Sequence, residues 1–288
     1  MLTLRVMRTS TVFRRSAMCV LVLVLTTNTA RAQDLPPPLA IRFSQAVADL
    51  RAGNLDAAEQ AFREILRAAG DVGFVHHNLG LVLRERGRHA EALGEFRAAA
   101  KLDASFGAAR LLAGTTLLTL GRVREARTEL EHAARLMPRE AIAYEQLAEA
   151  CRRLDDQPGV ADAYRRLVHL APDDPEYAYR LGTAYLNLSQ WAHRRIREID
   201  PRSARLDQAL SREYLAQGRP DLALRVLQQA ALTNPKVPEV HLALARIHFD
   251  EGRFDDAARE VERELALVPS SKDALELKMR IDAARHPP

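Results

Sequence analysis

The sequence predicts an all-α solenoid, in which helix-turn-helix hairpins stack one after another, and three observations support this fold class. Small residues return every 34 positions in the order helix, turn, helix: Gly80, Gly87, Ala92, then Gly114, Gly121, Ala126. Five glycines occupy a common place in the predicted turns: Gly53, Gly87, Gly121, Gly218 and Gly252. Five prolines follow the second helices at a common place: Pro138, Pro172, Pro201, Pro235 and Pro269. A fixed period of this length indicates stacked repeats rather than one globular core.

Numbering each repeat so that its turn glycine is position 15 divides residues 39–270 into about seven repeats. Repeats one to seven begin near Leu39, Gly73, Gly107, Ala141, Pro175, Ala204 and Pro238. Positions 8 and 20, where the two helices come closest, carry small residues: Ala46/Ala58, Gly80/Ala92, Gly114/Ala126, Ser211/Ala223 and Ala245/Ala257. Small side chains permit this approach, and larger residues at positions 4, 7, 11 and 24 fill the remaining space. The glycine suits the left-handed backbone at a helix end, and the proline stops the second helix.

The period and these residue types resemble the tetratricopeptide repeat, a helix-turn-helix unit of 34 residues. The resemblance covers nearly all of the chain after residue 38. It implies a right-handed superhelical α-solenoid whose concave groove binds a protein or peptide partner.

Two repeats depart from the pattern. Repeat four lacks the turn glycine in segment 154–159, and Val160 replaces the usual alanine, so we expect a slightly shifted turn. In repeat five only 19 residues separate Gly182 from Pro201, against 24 between the matching residues of repeat three. The fifth repeat is therefore predicted to be truncated, with a second helix, roughly residues 190–199, that has lost more than one turn.

The N-terminal 32 residues have the features of a cleavable signal peptide. Four arginines precede the apolar run 17–25, and the small-x-small site Ala30-Arg31-Ala32 follows it. This order predicts cleavage after Ala32 and export to the periplasm or beyond. An uncleaved N-terminal membrane anchor is the alternative, although the apolar run is short for a membrane span. After the leader, residues 33–38 are predicted to be an extended proline-rich linker. At the other end, residues 271–288 are predicted to form a capping helix and a tail.

Charge gives no support to nucleic-acid binding once the leader is set aside. The full chain carries 42 basic and 38 acidic residues, but the leader holds five arginines and no acidic residue, which leaves 37 basic against 38 acidic residues. A nearly neutral chain lacks the positive field that nucleic-acid binding requires. Only four of the basic residues are lysines, a bias typical of GC-rich bacterial genomes.

The residues that could carry chemistry do not form a recognisable catalytic, metal or cofactor motif. Cys19 lies in the leader and Cys151 stands alone, so no intramolecular disulfide is expected after cleavage. His76 and His77 are adjacent on a predicted helix and point in different directions, so they are poorly placed to share a metal ion. His76 is assigned to a packing position of its repeat, as are His241 and His248. We therefore expect a non-enzymatic protein without cofactors.

The resemblance places the partner-binding groove at positions 2, 5, 9, 12 and 13 of the first helices. Candidates in the first three repeats are mostly apolar: Phe43, Val47, Phe74, His77, Leu81, Arg84, Leu111, Thr115 and Leu118. Later candidates are mixed and charged: Glu145, Glu149, Arg152, Tyr179, Thr183, Asn187, Arg212, Arg246 and Phe249. Apolar anchors with charged neighbours suit an extended peptide or a partner helix. Alternatively, several of the apolar residues contact the next helix. The carboxylate clamp of some family members is absent, because Phe43 and Val47 replace its lysine and asparagine.

A second candidate patch surrounds the only tryptophan, in the shortened helix of repeat five: Trp191, His193, Arg194, Arg195 and Arg197. It is either a docking patch at a kink, or a tryptophan that fills the gap left by the missing turn beside solvated arginines. The sequence thus favours an interaction scaffold that presents its groove to an envelope or secreted protein. The alternatives are a module for a saccharide or an anionic glycan near Trp191, and a structural solenoid that self-assembles.

Overall fold

The computed structural model describes residues 35–286, which contain fourteen helices and no strand. The helices are α1 Pro37–Ala52, α2 Leu55–Ala69, α3 Gly73–Glu85, α4 His89–Leu102, α5 Gly107–Thr119, α6 Val123–Leu136, α7 Ala141–Arg153, α8 Gln157–Leu170, α9 Pro175–Ile199, α10 Ala204–Ala216, α11 Pro220–Thr233, α12 Val240–Asp250, α13 Phe254–Leu267 and α14 Lys272–Arg285. The predicted fold class, an all-α solenoid of helical repeats, is confirmed. The leader, Cys19 and residues 33–34 lie outside the described residues.

The described residues divide into two compact units, an N-terminal unit of residues 35–188 and a C-terminal unit of residues 189–286. In the N-terminal unit, α1 to α8 and the first half of α9 surround one long apolar core from Leu35 to Ala150 and a small one around Cys151. In the C-terminal unit, one core joins α10, α11 and α12, and a second joins α12, α13 and α14. None of the helices within residues 35–286 combines the length and the apolar composition needed to cross a membrane.

The turn glycines and the prolines act as predicted. All five position-15 glycines have φ between 70° and 82°, a conformation that residues with a Cβ rarely adopt. Helices α6, α8, α9, α11 and α13 each end two residues before a position-32 proline. The backbone chemistry of two residue types therefore sets the ends of most hairpins.

The small residues at positions 8 and 20 are all buried where the two helices of a hairpin meet. A Cβ built on Gly80 would lie 2.6 Å from the Phe96 ring, and one on Gly114 would lie 2.5 Å from the Leu130 side chain. Real Cβ atoms do not approach other atoms this closely. Glycine at these positions is thus required by the large position-24 side chain of the second helix.

The expected shift of the turn in repeat four is wrong. Helix α7 ends at Arg153 and α8 begins at Gln157, the same interval that separates α5 from α6. Asp155 takes the place of the missing glycine with φ 54°, because aspartate tolerates the left-handed region better than most residues. The Asp156 carboxylate then accepts a hydrogen bond from the Gly159 N–H at 3.1 Å and caps α8.

Repeat five differs most from its prediction, because the expected hairpin is absent. Residues Pro175–Ile199 form one continuous helix of 25 residues, so the predicted separate helix 190–199 is wrong. Position 15 of this repeat is Ser189, which provides no glycine to end the first helix, and the helix runs on.

The linker that precedes α1 is shorter than predicted. The extended linker predicted for residues 33–38 is wrong at its end, since α1 begins at Pro37 and Leu35 is buried in the core.

At the start of α12, Glu239 has φ 69°, and its N–H donates to the Glu264 carboxylate at 2.8 Å. The N–H of Leu242 donates to the same carboxylate at 3.3 Å. Glu264, buried on α13, therefore caps the first turn of α12 from across the hairpin.

Candidate partner-binding surface

Seven of the predicted groove residues lie in the core of the N-terminal unit and cannot contact a partner: Phe43, Val47, Phe74, His77, Leu81, Leu111 and Leu118. The first helices of consecutive repeats cover them. The Phe43 ring of α1 meets the Phe74 ring of α3 edge-on at 5.1 Å, and the His77 ring lies 4.8 Å from that of Phe106. For these residues the predicted apolar groove is wrong, and the alternative of contact with the next helix is correct.

His77 is the most unusual of these buried residues. Both ring nitrogens are buried without a hydrogen-bond partner, and the ring lies between Phe96 and Phe106. Burial, with a smaller contribution from the nearby Arg84 charge, lowers the pKa of His77 to about 3. The imidazole is therefore neutral at physiological pH and serves as a packing group.

A pairing that the sequence analysis missed joins the two helices of several hairpins. The side chain at position 4 of the first helix contacts a glutamate 19 residues later: His76 to Glu95 at 2.6 Å, Arg110 to Glu129 at 3.1 Å, and His241 to Glu260 at 2.7 Å. The hydrogen bond to Glu95 raises the pKa of His76. The pairing could have been predicted from the sequence, because each of these three repeats has a glutamate at position 23 and a histidine or arginine at position 4.

Further candidates of the N-terminal unit lie on α7, where Glu145 and Glu149 are partly buried and Arg152 is exposed, and on the exposed first half of α9. On α7, Glu149 accepts hydrogen bonds from Arg152 at 2.8 Å and from Arg153 at 2.6 Å, and Arg153 also donates to the Leu118 carbonyl at 2.9 Å. Although partial burial by itself raises the pKa of Glu149, the two arginines hold it below its usual range. The Tyr177 hydroxyl donates to Glu145 at 2.5 Å and joins α9 to α7. The charges of this surface are thus held in fixed positions.

The α9 part of the surface exposes the residues that are covered in earlier repeats. Tyr179, at position 5, is 72% exposed, and Leu186, at position 12, is 68% exposed, whereas position 5 is fully buried in repeat two. Thr183 and Asn187 are exposed beside them. We call Glu149, Arg152, Tyr179, Thr183, Leu186 and Asn187 the α7–α9 face. It combines two large apolar groups with ordered charges.

A family comparison agrees with this architecture. The sequence model of the tetratricopeptide repeat matches residues 43–105, 111–175 and 209–272, which together make up more than half of the chain. The chain belongs to the tetratricopeptide repeat family. Proteins of this family are generally non-enzymatic scaffolds. No curated protein sequence matches the chain.

Solved structures with a similar fold are distant in sequence. A tetratricopeptide repeat protein from Parabacteroides merdae is 13% identical, with a TM-score of 0.47, over 85% of this chain and 98% of that one. PilF from Pseudomonas aeruginosa is 18% identical, with a TM-score of 0.45, over 88% and 99%. YrrB, described as a tetratricopeptide repeat protein with an unusual peptide-binding site, is 17% identical, with a TM-score of 0.39, over 77% and 100%. At these identities the similarity concerns the fold alone.

The remaining candidates of this tetratricopeptide repeat protein are divided between its two units. Arg84 and Thr115 are partly buried in the N-terminal unit. In the C-terminal unit Arg212 pairs with Glu239 at 3.0 Å, Arg246 pairs with Asp273 at 2.7 Å, and the Arg280 guanidinium lies over the half-buried Phe249 ring at 4.7 Å. Trp191 is partly buried, Arg194 is exposed, and Arg195 pairs with Glu198 at 2.6 Å. The partner-binding role of these exposed residues stays a prediction.

The side chains of Cys151 and His248, which could react or bind a metal, are instead buried by packing. Burial raises the pKa of the Cys151 thiol to about 12, so the reactive thiolate is scarce. Burial also lowers the pKa of His248. Among the described residues, no group of three or more histidine, cysteine or acidic side chains is placed to hold a metal ion.

Proposed function

We propose that this chain is an exported, non-enzymatic adaptor that binds an extended peptide or a helix of an envelope or secreted protein on its α7–α9 face. The observation that carries the proposal is the exposure of Tyr179 at position 5, which is buried in repeats one to three, and of Leu186 at position 12, which is buried in repeats one and three. Tyrosine and arginine are enriched among the few residues that supply most of the affinity at protein interfaces, and this surface presents Tyr179 together with Arg152.

The charged part of the face supports recognition of a specific partner segment. Glu149 is held between Arg152 and Arg153, so the guanidinium of Arg152, which remains exposed, is already oriented before a partner arrives. Preorganised charges reduce the entropy lost on binding and fix the register of a bound peptide. The bound segment is therefore proposed to carry an apolar side chain next to an acidic one.

Capture from an envelope extract of the host tests this function. The bait is residues 33–288, compared with Leu186→Asp and with the matched control Leu232→Asp, whose leucine is 79% exposed in the C-terminal unit. We expect wild type and Leu232→Asp to retain the same protein, and Leu186→Asp to bind it at least tenfold more weakly, because a desolvated charge replaces an apolar anchor. Equal retention by all three baits would remove the α7–α9 face from the proposal.

Export rests on the leader and has its own test. The full chain with a C-terminal tag is expressed in a Gram-negative host, the periplasm is separated from cytoplasm and membranes, and the N-terminus of the product is sequenced. We expect a periplasmic protein that begins at Gln33, and its cleavage should be lost when Ala30 and Ala32 are both replaced by leucine. An intact leader in the membrane fraction would indicate the anchor instead, and a cytoplasmic product would contradict export.

A further inference from the structure

The first half of α9 keeps the surface of a hairpin helix but lacks the second helix of a hairpin. Gly182 occupies position 8, where Gly80 and Gly114 are each in close contact with the second helix of their repeat. A Cβ built on Gly182 would have nothing within 4 Å. Tyr185, at position 11, is 49% exposed, although position 11 is fully buried in repeats two and three. We call Ala178, Gly182 and Tyr185 the open hairpin slot.

The register of the sequence identifies the segment that belongs in this slot. In repeat three, the core residues Leu130 and Ala133 stand eight and five residues before Pro138. His193 and Ile196 stand at the same distances before Pro201. Residues 190–199 therefore have the positions of a second helix. In the structure they are the second part of the continuous helix α9 and do not form a separate second helix.

We infer that two copies of this chain exchange these segments, so that residues 190–199 of each copy occupy the open hairpin slot of the other. The arrangement is antiparallel and twofold symmetric, because both copies contribute the same slot and the same segment. Filling the slot within one chain would instead break α9 near Ser189, where no glycine is present to form the turn.

Charge along α9 favours the antiparallel exchange. Residues 173–180, at the start of the helix, carry three acidic residues and one arginine, a net charge of −2. Residues 194–202, at its end, carry four arginines against Glu198 and Asp200, a net charge of +2. If Gly182 of one copy faces His193 of the other, as Gly114 faces Leu130, the acidic start of each helix lies near the basic end of its partner. Opposite net charges then meet at both ends of the interface.

This inference goes beyond the proposed function, because the slot uses positions 4, 8 and 11 of α9, whereas the partner surface uses positions 5, 9 and 12. Both surfaces can be occupied at once. Loss of one activity is therefore measurable without loss of the other.

Light scattering coupled to size-exclusion chromatography, on residues 33–288 over a range of concentrations, tests the exchange. We expect twice the chain mass for wild type, and at least a tenfold rise of the dimer dissociation constant for Gly182→Arg. The matched control is Gly94→Arg, since Gly94 is also a helical glycine with nothing within 4 Å of its Cβ. The control should remain dimeric, and both variants should keep the helicity of wild type.

A disulfide test locates the contact. Chains with Gly182→Cys and chains with His193→Cys are mixed under mild oxidation, and we expect a cross-linked heterodimer from the mixture but from neither variant alone. A wild-type protein that has the mass of one chain at every concentration would overturn the exchange. So would a Gly182→Arg variant as dimeric as wild type, or a mixture that forms no cross-link. Whether or not the chain dimerises, Gly182→Arg should capture the partner protein as well as wild type does.

Discussion

Replacing Phe96 with alanine is expected to lower the free energy of unfolding of the N-terminal unit by about 3–5 kcal/mol. The Phe96 side chain is fully buried, and it fills the space directly over Gly80. It also lies 5.9 Å from the His77 ring, so its loss opens a cavity between the two helices and the ring behind them. Denaturant unfolding followed by circular dichroism measures the change.

The contact between Phe96 and Gly80 makes the effects of the two residues dependent on each other. Gly80→Leu alone should cost about 1–3 kcal/mol, because the leucine and the phenylalanine would occupy the same space. In the double variant the leucine partly fills the space left by Phe96→Ala, so the loss should be smaller than the sum of the single losses by at least about 1 kcal/mol. Gly94→Leu is the matched control. It should cost nothing or stabilise by up to about 1 kcal/mol, since leucine favours a helix more than glycine does. Additive losses would show that the two helices do not meet at this pair.

Acidification is expected to destabilise the N-terminal unit through His77, by about 2 kcal/mol at pH 5. The pKa of this histidine is about 3 in the folded protein, because of burial, and about 6.5 in the unfolded chain. Between these values the unfolded chain binds a proton that the folded chain cannot bind. The stabilisation is therefore fully present above about pH 6.5 and declines as the pH falls below that value.

The matched variant is His77→Leu, which keeps an apolar side chain of similar size but cannot titrate. Unfolding is measured at pH 7.5 and pH 5, and the loss on acidification should be about 2 kcal/mol smaller in the variant than in wild type. His76 has the opposite dependence. Its raised pKa gives stability below about pH 6.5 that is lost as the pH rises through the folded value. Since His76 is present in both proteins, its effect cancels in the comparison. An identical pH dependence in both would mean that His77 is accessible to protons in the folded state.

The features that could be read from the sequence are those that depend on the backbone chemistry of single residues. Gly87 is needed for a positive φ and Pro138 for stopping a helix, and neither requirement depends on distant residues. Small residues such as Gly114 also predict close packing of two helices, because the second helix of the same hairpin is only a few residues away. The period therefore predicts the hairpins and the core.

The candidate surface was harder to predict because it depends on what the neighbouring repeat covers. Leu81 and Leu186 are both apolar residues of the inner face, at positions 9 and 12, yet one is buried and the other is exposed. The difference arises because a following helix packs on α3, while the first half of α9 keeps these positions uncovered. The spacing between Gly182 and Pro201 likewise predicted a hairpin, but position 15 is Ser189, neither a glycine nor an aspartate such as Asp155 of repeat four, and the helix continues.

The carboxylate of Glu264 has a consequence for the last hairpin of the described helices, α12 with α13. Gly252 closes this hairpin at its turn, and the bonds from Glu264 to the N–H groups of Glu239 and Leu242 close it at its open end. If the first turn of α12 unwinds, the buried Glu264 carboxylate loses these two hydrogen-bond donors. Unwinding of this turn therefore costs about 1–3 kcal/mol. A segment that would otherwise open residue by residue is thereby made to open as a whole, so the hairpin behaves as a ring fastened at two points rather than as two helices joined at one.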